Sequence, residues 1–282
     1  MNYLVSRRKI SANGKTFTAQ PGNESCFLRV TSIGQTASPG HRIAPGVWAR
    51  EVLQHSQNGH VLLVVHGFRI QQHSFLREVA DVRRMLGSQF RGAVVGLDWP
   101  TNGRLFDYRK DRRDAQKTAA PLLRDAVNAL HTARPTVKLH ILAHSMGCFF
   151  TSVALQASLG TPLEGKLRGS LRTIAATGAD VDQDWSKAGQ PFVKALERTC
   201  RRFMVHFSGH DEILHVSEDR YNNRKKRLGR DGPASPQPSI LIGVPWTDYY
   251  RQNHWGLFNL RHSHNFYYDD PVFYRTLAPS LQ

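Results

Sequence analysis

Apolar residues gather along this chain in short uninterrupted runs, each ending at a small or polar residue. Val61 to Gly67 reads VLLVVHG, Gly92 to Pro100 reads GAVVGLDWP, and Lys138 to Ser145 reads KLHILAHS. Runs of this kind, without polar alternation, suit strands covered on both faces, as in a parallel sheet. Leu171 to Asp180 and Arg201 to Asp211 continue the series with more mixed sequence. Between the runs lie stretches of helical spacing. Phe75, Leu76, Val79, Val82, Met85 and Leu86 form one stripe, and Ala115, Ala119, Leu122, Leu123, Ala126, Val127 and Leu130 another. Phe149 to Leu159 and Pro191 to Arg201 read as two further helices. Strand and helix alternating through short connections predict an α/β fold, a mostly parallel central sheet with helices on both faces. Ligands meet such sheets at the carboxyl ends of the strands.

Two regions depart from this grammar. Residues 1–58 mix short apolar patches with turn formers. Tyr3 to Val5 and Phe27 to Val30 read as strands, while Ala19 to Glu24 and Thr36 to Gly46 read as loops. The expectation is an N-terminal strand and loop meander leaning on the main sheet of a single domain spanning 1–282. Residues 218–238, basic and poor in apolar side chains, read as an excursion or lid over the end of the sheet.

Composition narrows the functional classes. Lys and Arg number 38 against 22 Asp and Glu, a formal charge of +16. That balance suits a solvated basic surface or attraction to an anionic membrane surface or acidic substrate. No zinc-finger spacing or RNP motif supports nucleic-acid binding. Three cysteines, Cys26, Cys148 and Cys200, make no disulfide framework and point to a reducing compartment. With no signal-peptide pattern and no run near the roughly 18 apolar residues of a span, the expectation is a soluble cytoplasmic protein. The 14 histidines include no HExxH and no paired Cys/His spacing, so neither metal nor cofactor is expected.

The chemistry concentrates at Ala143-His144-Ser145-Met146-Gly147, between a strand and a helix. A nucleophile elbow needs this setting, with small residues two before and two after the serine so that strand and helix can close around it. Ala143 stands where glycine is usual. His66-Gly67-Phe68 follows an earlier strand. With such an elbow, the backbone N–H groups of Phe68 and Met146 are the expected oxyanion donors. The His66 side chain reads as structural, and Cys148 as a small buried hydrophobe.

The series HGF (66–68), Trp99-Pro100, Tyr108 with Asp111, and AHSMG (143–147) resembles a group of bacterial α/β-hydrolase-fold proteins of poorly defined function. The resemblance spans roughly Val61 to Pro271. It implies the α/β-hydrolase fold and a triad in the chain order Ser, acid, His. The acid is expected after the second strand beyond the elbow. The group's Ser-x-x-Asp pattern there is matched by Ser208 and Asp211, with Asp180 and Asp182 as alternatives. Its late histidine, seven residues before a Pro, is matched by His264 and Pro271. His254 and His262 are the other candidates. The implied activity is that of a serine hydrolase on a small-molecule or lipid ester, with Ser145, His264 and Asp211 as triad. Esterase, lipase, thioesterase and amidase are not separated. The rival is a non-catalytic protein of the same fold that binds a partner or anionic surface through Arg220 to Arg230.

Overall fold

A computed structural model describes residues 1–31, 36–254 and 260–282. Eight strands form one sheet in the order β2-β1-β4-β3-β5-β6-β7-β8. They are β1 (Asn2–Ile10), β2 (Phe17–Val30), β3 (His60–Val65), β4 (Ala93–Asp98), β5 (Lys138–His144), β6 (Leu171–Thr177), β7 (Arg202–Phe207) and β8 (Leu241–Pro245). Every adjacent pair is parallel except β1 with β2.

Period-2 geometry explains why the apolar runs are continuous. Successive side chains of a strand point to opposite faces, and here both faces are covered. Val61, Leu63 and Val65 of β3 enter one core, with Trp48, Leu122 and Phe149, whereas Leu62 and Val64 enter the other, with Phe75, Phe266 and Phe273. Three helices of the first layer are α1 (Pro45–Gln54), α3 (Tyr108–Ala133) and α4 (Met146–Ser158). They are joined by α5 (Pro162–Ser170) and α6 (Pro191–Thr199). The second layer holds α2 (Gln72–Leu86), α9 (Thr247–Asn253), α10 (Leu260–Asp269) and α11 (Pro271–Leu277). Between the layers' sequences come α7 (Glu212–Tyr221) and the short α8 (Leu228–Asp231).

In the N-terminal region, β1 and β2 pair antiparallel and join the main sheet. β1 lies inside the sheet, between β2 and β4. Ala19 to Glu24, expected as a loop, is part of β2, whose register against β1 shifts twice as it passes Pro21 and Gly22. Bulges let Pro and Gly sit in a strand. Pro45, read as a loop residue, opens α1, where its missing N–H costs nothing. Residues 32–35 of the expected meander lie outside the described residues.

The basic segment 218–238, read as an excursion or lid over the end of the sheet, has a buried part there. Arg227, Leu228 and Gly229 are buried, and Leu228 N–H, Gly229 N–H and Gly229 C=O bond to Val181, Ala179 and Ser208 at 2.8, 2.9 and 3.1 Å. The segment thus ties together the residues that follow β6 and β7. His262 and His264 lie on α10, whose buried face carries Ser263, His264, Phe266 and Tyr267. Among the described residues, no helix is long and apolar enough to cross a membrane.

Candidate active site

Ser145 sits in the turn between β5 and α4 with φ 55° and ψ −124°, a left-handed conformation that an L-residue holds only when its surroundings impose it. They do so here through three backbone bonds. Ser145 N–H donates to Thr177 C=O at 3.0 Å, and Ser145 C=O accepts from Cys148 at 3.0 Å and Asp180 at 3.1 Å. Close packing adds to this. A Cβ on Gly147 would stand 2.6 Å from the carbonyl oxygens of Val65 and His66, and one on Gly67 would stand 2.9 Å from Ser145 Cβ. The loop after β3 therefore passes directly beside Ser145. As the first residue of α4, Met146 has an N–H without an intrahelical acceptor. Phe68 is half-buried in the β3–α2 loop.

His264, from α10, and Asp211, the N-cap of α7, meet at the same end of the sheet. Nδ1 of His264 lies 2.7 Å from Asp211 Oδ2, while Asp211 Oδ1 accepts from Leu214 N–H at 2.9 Å. The ring's other nitrogen, Nε2, is buried and has no hydrogen-bond partner among the described residues. Burial disfavours the imidazolium, but the charge and hydrogen bond of Asp211, with Asp180 adding its field, hold the His264 pKa above the ordinary value. His144 braces this group from below. Its ring centroid is 4.6 Å from that of His264, and its Nε2 is 3.1 Å from His264 C=O. Burial first, and then the neighbouring His264, keep His144 neutral. A carbonyl can only accept, so the neutral ring carries its proton on Nε2.

The alternative candidates are engaged elsewhere. Asp180 accepts from Tyr108 Oη at 2.7 Å and Ser217 Oγ at 3.0 Å, and it lies 2.8 Å from Arg227 Nη2. Asp182 pairs with Arg227 Nη1 and with Lys225 at 3.3 Å. His262 and His254 contact each other at 3.1 Å, and His254 reaches Asp270 at 2.9 Å. Among the described residues, no three His, Cys, Asp or Glu side chains are grouped to hold a metal ion. Cys148 is buried, its S–H 3.2 Å from Ala143 C=O, and burial pushes its thiol pKa up.

Arg8, Asp98 and Arg227 have no role of their own in the sequence reading, whereas His66, Trp99 and Tyr108 are named there without their contacts. Asp98 and Arg8 form an ion pair at 2.8 Å, buried on both sides, beneath the loop after β3. Arg8 also donates to Thr101 C=O at 2.9 Å and Ile70 C=O at 3.2 Å, so it clamps the loops after β3 and β4 together. His66 stacks on Trp99 at 5.1 Å, and its carbonyl accepts from Trp99 Nε1–H at 2.9 Å. Tyr108 stacks on Tyr221 at 4.5 Å and meets Phe68 edge-on at 5.6 Å. Arg227 is the least expected, because a basic low-apolar run predicts a solvated face.

Residues 43–240 match a family described as alpha/beta hydrolase of unknown function (DUF900). An uncharacterized protein of Nostoc sp. is 28% identical over 151 residues, which are 44% of this chain and only 39% of that protein. Among solved structures, a predicted CIB-like hydrolase from Thermoplasma acidophilum is 13% identical with a TM-score of 0.35, covering 95% of this chain and 100% of that one. A phosphonate-inhibited esterase B from Lactobacillus rhamnosis is 12% identical with a TM-score of 0.42, over 80% and 77% of the two chains. A thioesterase from the prodiginine pathway of Streptomyces coelicolor is 14% identical with a TM-score of 0.36, over 79% and 91%.

Proposed function

Because this chain belongs to the alpha/beta hydrolases of unknown function (DUF900), we propose that it is a serine hydrolase cleaving a carboxylic ester or related acyl bond. Ser145 Oγ attacks the carbonyl carbon as His264 Nε2 takes the hydroxyl proton. The carbonyl oxygen gathers the charge and is held by the N–H groups of Phe68 and Met146. His264 then returns the proton to the leaving alkoxide, and the acyl group remains on Ser145. Water, deprotonated by the same nitrogen, attacks the acyl-enzyme and releases the acid. Asp211 fixes the imidazole tautomer and stabilises the imidazolium.

One observation carries this reading. His264 donates Nδ1–H to Asp211 and, among the described residues, keeps Nε2 buried without a partner. A buried nitrogen without a partner is costly, and service as the acceptor of a proton during the reaction is a use for it. The three buried free thiols support a reducing, cytoplasmic setting. The +16 charge supports attraction to anionic substrates or surfaces. The test is labelling with a fluorophosphonate. Wild type is expected to label, Ser145→Ala not at all, and His264→Ala at a rate lower by roughly 10⁴-fold, the scale of losing the base. A well-folded wild type that stays unlabelled would remove the hydrolase reading.

A further inference from the structure

We propose that Arg112 recognises an anionic group on the substrate, so that the preferred ester carries a carboxylate or phosphate. The inference rests on the hydrolase reading above. Arg112 lies one turn into α3, with its guanidinium carbon 3.7 Å over the ring centre of Phe149, one turn into α4. Its Nη1 donates to Tyr108 Oη at 3.2 Å. Tyr108 Oη in turn donates to Asp180, and Asp180 N–H bonds to Ser145 C=O. Three short contacts therefore separate this guanidinium from the residue proposed to carry the acyl group.

Arg112 differs from the other arginine of this network. Arg227 is fully buried and engaged with Asp180 and Asp182. Arg112 is half-exposed, and among the described residues it has no carboxylate within 4.0 Å and no side-chain hydrogen bond besides that to Tyr108. Stacking and one hydrogen bond already fix its orientation, so little side-chain entropy remains to be lost when it binds. A planar guanidinium held this way, with N–H groups to spare, fits a carboxylate or phosphate in two-pronged geometry. The surplus of positive charge over the whole chain would draw such a substrate in.

The experiment compares p-nitrophenyl hexanoate with the mono-p-nitrophenyl ester of adipic acid, alike in chain length and different in one terminal carboxylate. Wild type is expected to favour the adipate ester roughly 10- to 100-fold in kcat/KM, the range of a charged hydrogen bond. Arg112→Gln should erase most of that preference by raising KM for the adipate ester more than for the hexanoate, and Arg112→Lys should restore part of it. No preference in wild type would overturn the proposal whatever the variants do. Equal losses on both esters would also overturn it and make Arg112 a brace for Tyr108. Turnover of neither ester by a protein that still labels with fluorophosphonate would refute anionic recognition alone. Failure to label would refute the hydrolase reading and this one with it.

Discussion

At Gly178 a methyl group would stand 3.0 Å from His264 Nδ1 and 3.3 Å from Asp211 Oδ2, in a backbone with φ 49°. The His264–Asp211 pair is seated on a residue that can carry no side chain. The same turn continues into Asp180, whose charge adds to that of Asp211 at His264. The proposed base works only when neutral. Its pKa is raised, so activity should be lost on acidification through a value above the ordinary 6.5 or so of histidine. A kcat/KM profile on an ester should therefore rise into the alkaline range. Asp180→Asn should move its midpoint down, because one of the two carboxylates favouring the imidazolium is gone. An unmoved midpoint would mean that Arg227 and Tyr108 neutralise the Asp180 charge before it reaches His264. Asp211→Asn should lower kcat about 10⁴-fold by letting the wrong tautomer form.

At the scale of elements, the segment between α7 and β8 has the largest structural consequence. Its polar composition conceals a buried hub. Arg227 joins Asp180 and Asp182, and the backbone on either side bonds to residues following β6 and β7. A guanidinium without exposed surface is tolerable only because two carboxylates receive it. Removing one partner leaves the others buried and uncompensated, so Arg227→Met should cost about 3–5 kcal/mol in a urea titration. A loss below about 1 kcal/mol would mean that the ion pairs contribute little beyond surface pairs. Asp111, named in the sequence beside Tyr108, shows the opposite case. Its carboxyl group is buried with no ion-pair partner among the described residues, and burial pushes its pKa up to about 7 against the opposing backbone N–H of Asn102.

For the whole molecule, buried histidines join the sheet to the C-terminal part of the chain. His60 and His140 stack in adjacent strands at 5.1 Å, and His60 Nδ1 lies 3.1 Å from Leu281 C=O. His206 on β7 accepts from Trp246 Nε1–H at 3.0 Å. Burial pushes the pKa of both His140 and His206 down to about 3. In the unfolded chain each titrates near 6.5. The unfolded state therefore binds more protons between pH 6.5 and 3, and stability present above that window falls as pH falls through it. Each group contributes up to about 1.4 kcal/mol per pH unit. Urea midpoints should drop steeply from pH 7 to 4, and His140→Asn should flatten the drop. An equal slope in the variant would assign the acid lability to other groups.

The chain by itself determined the parallel strands on either side of Ser145 and the turn that holds it. Local pattern suffices for this: VLLVVHG and KLHILAHS are too short for helices and suit strands covered on both faces, and the small residues around Ser145 permit the tight turn wherever that strand ends. Only the tertiary structure decided which charges meet. Asp180, Asp182 and Asp211 look alike in sequence, and so do His254, His262 and His264. The pairing of Asp211 with His264 spans 53 residues, and it was legible only through a resemblance in motif spacing. Arg227 and the Arg8–Asp98 clamp were not legible at all. Whether a charged side chain is solvated or buried depends on carboxylates delivered from distant strands, and no local pattern records that approach.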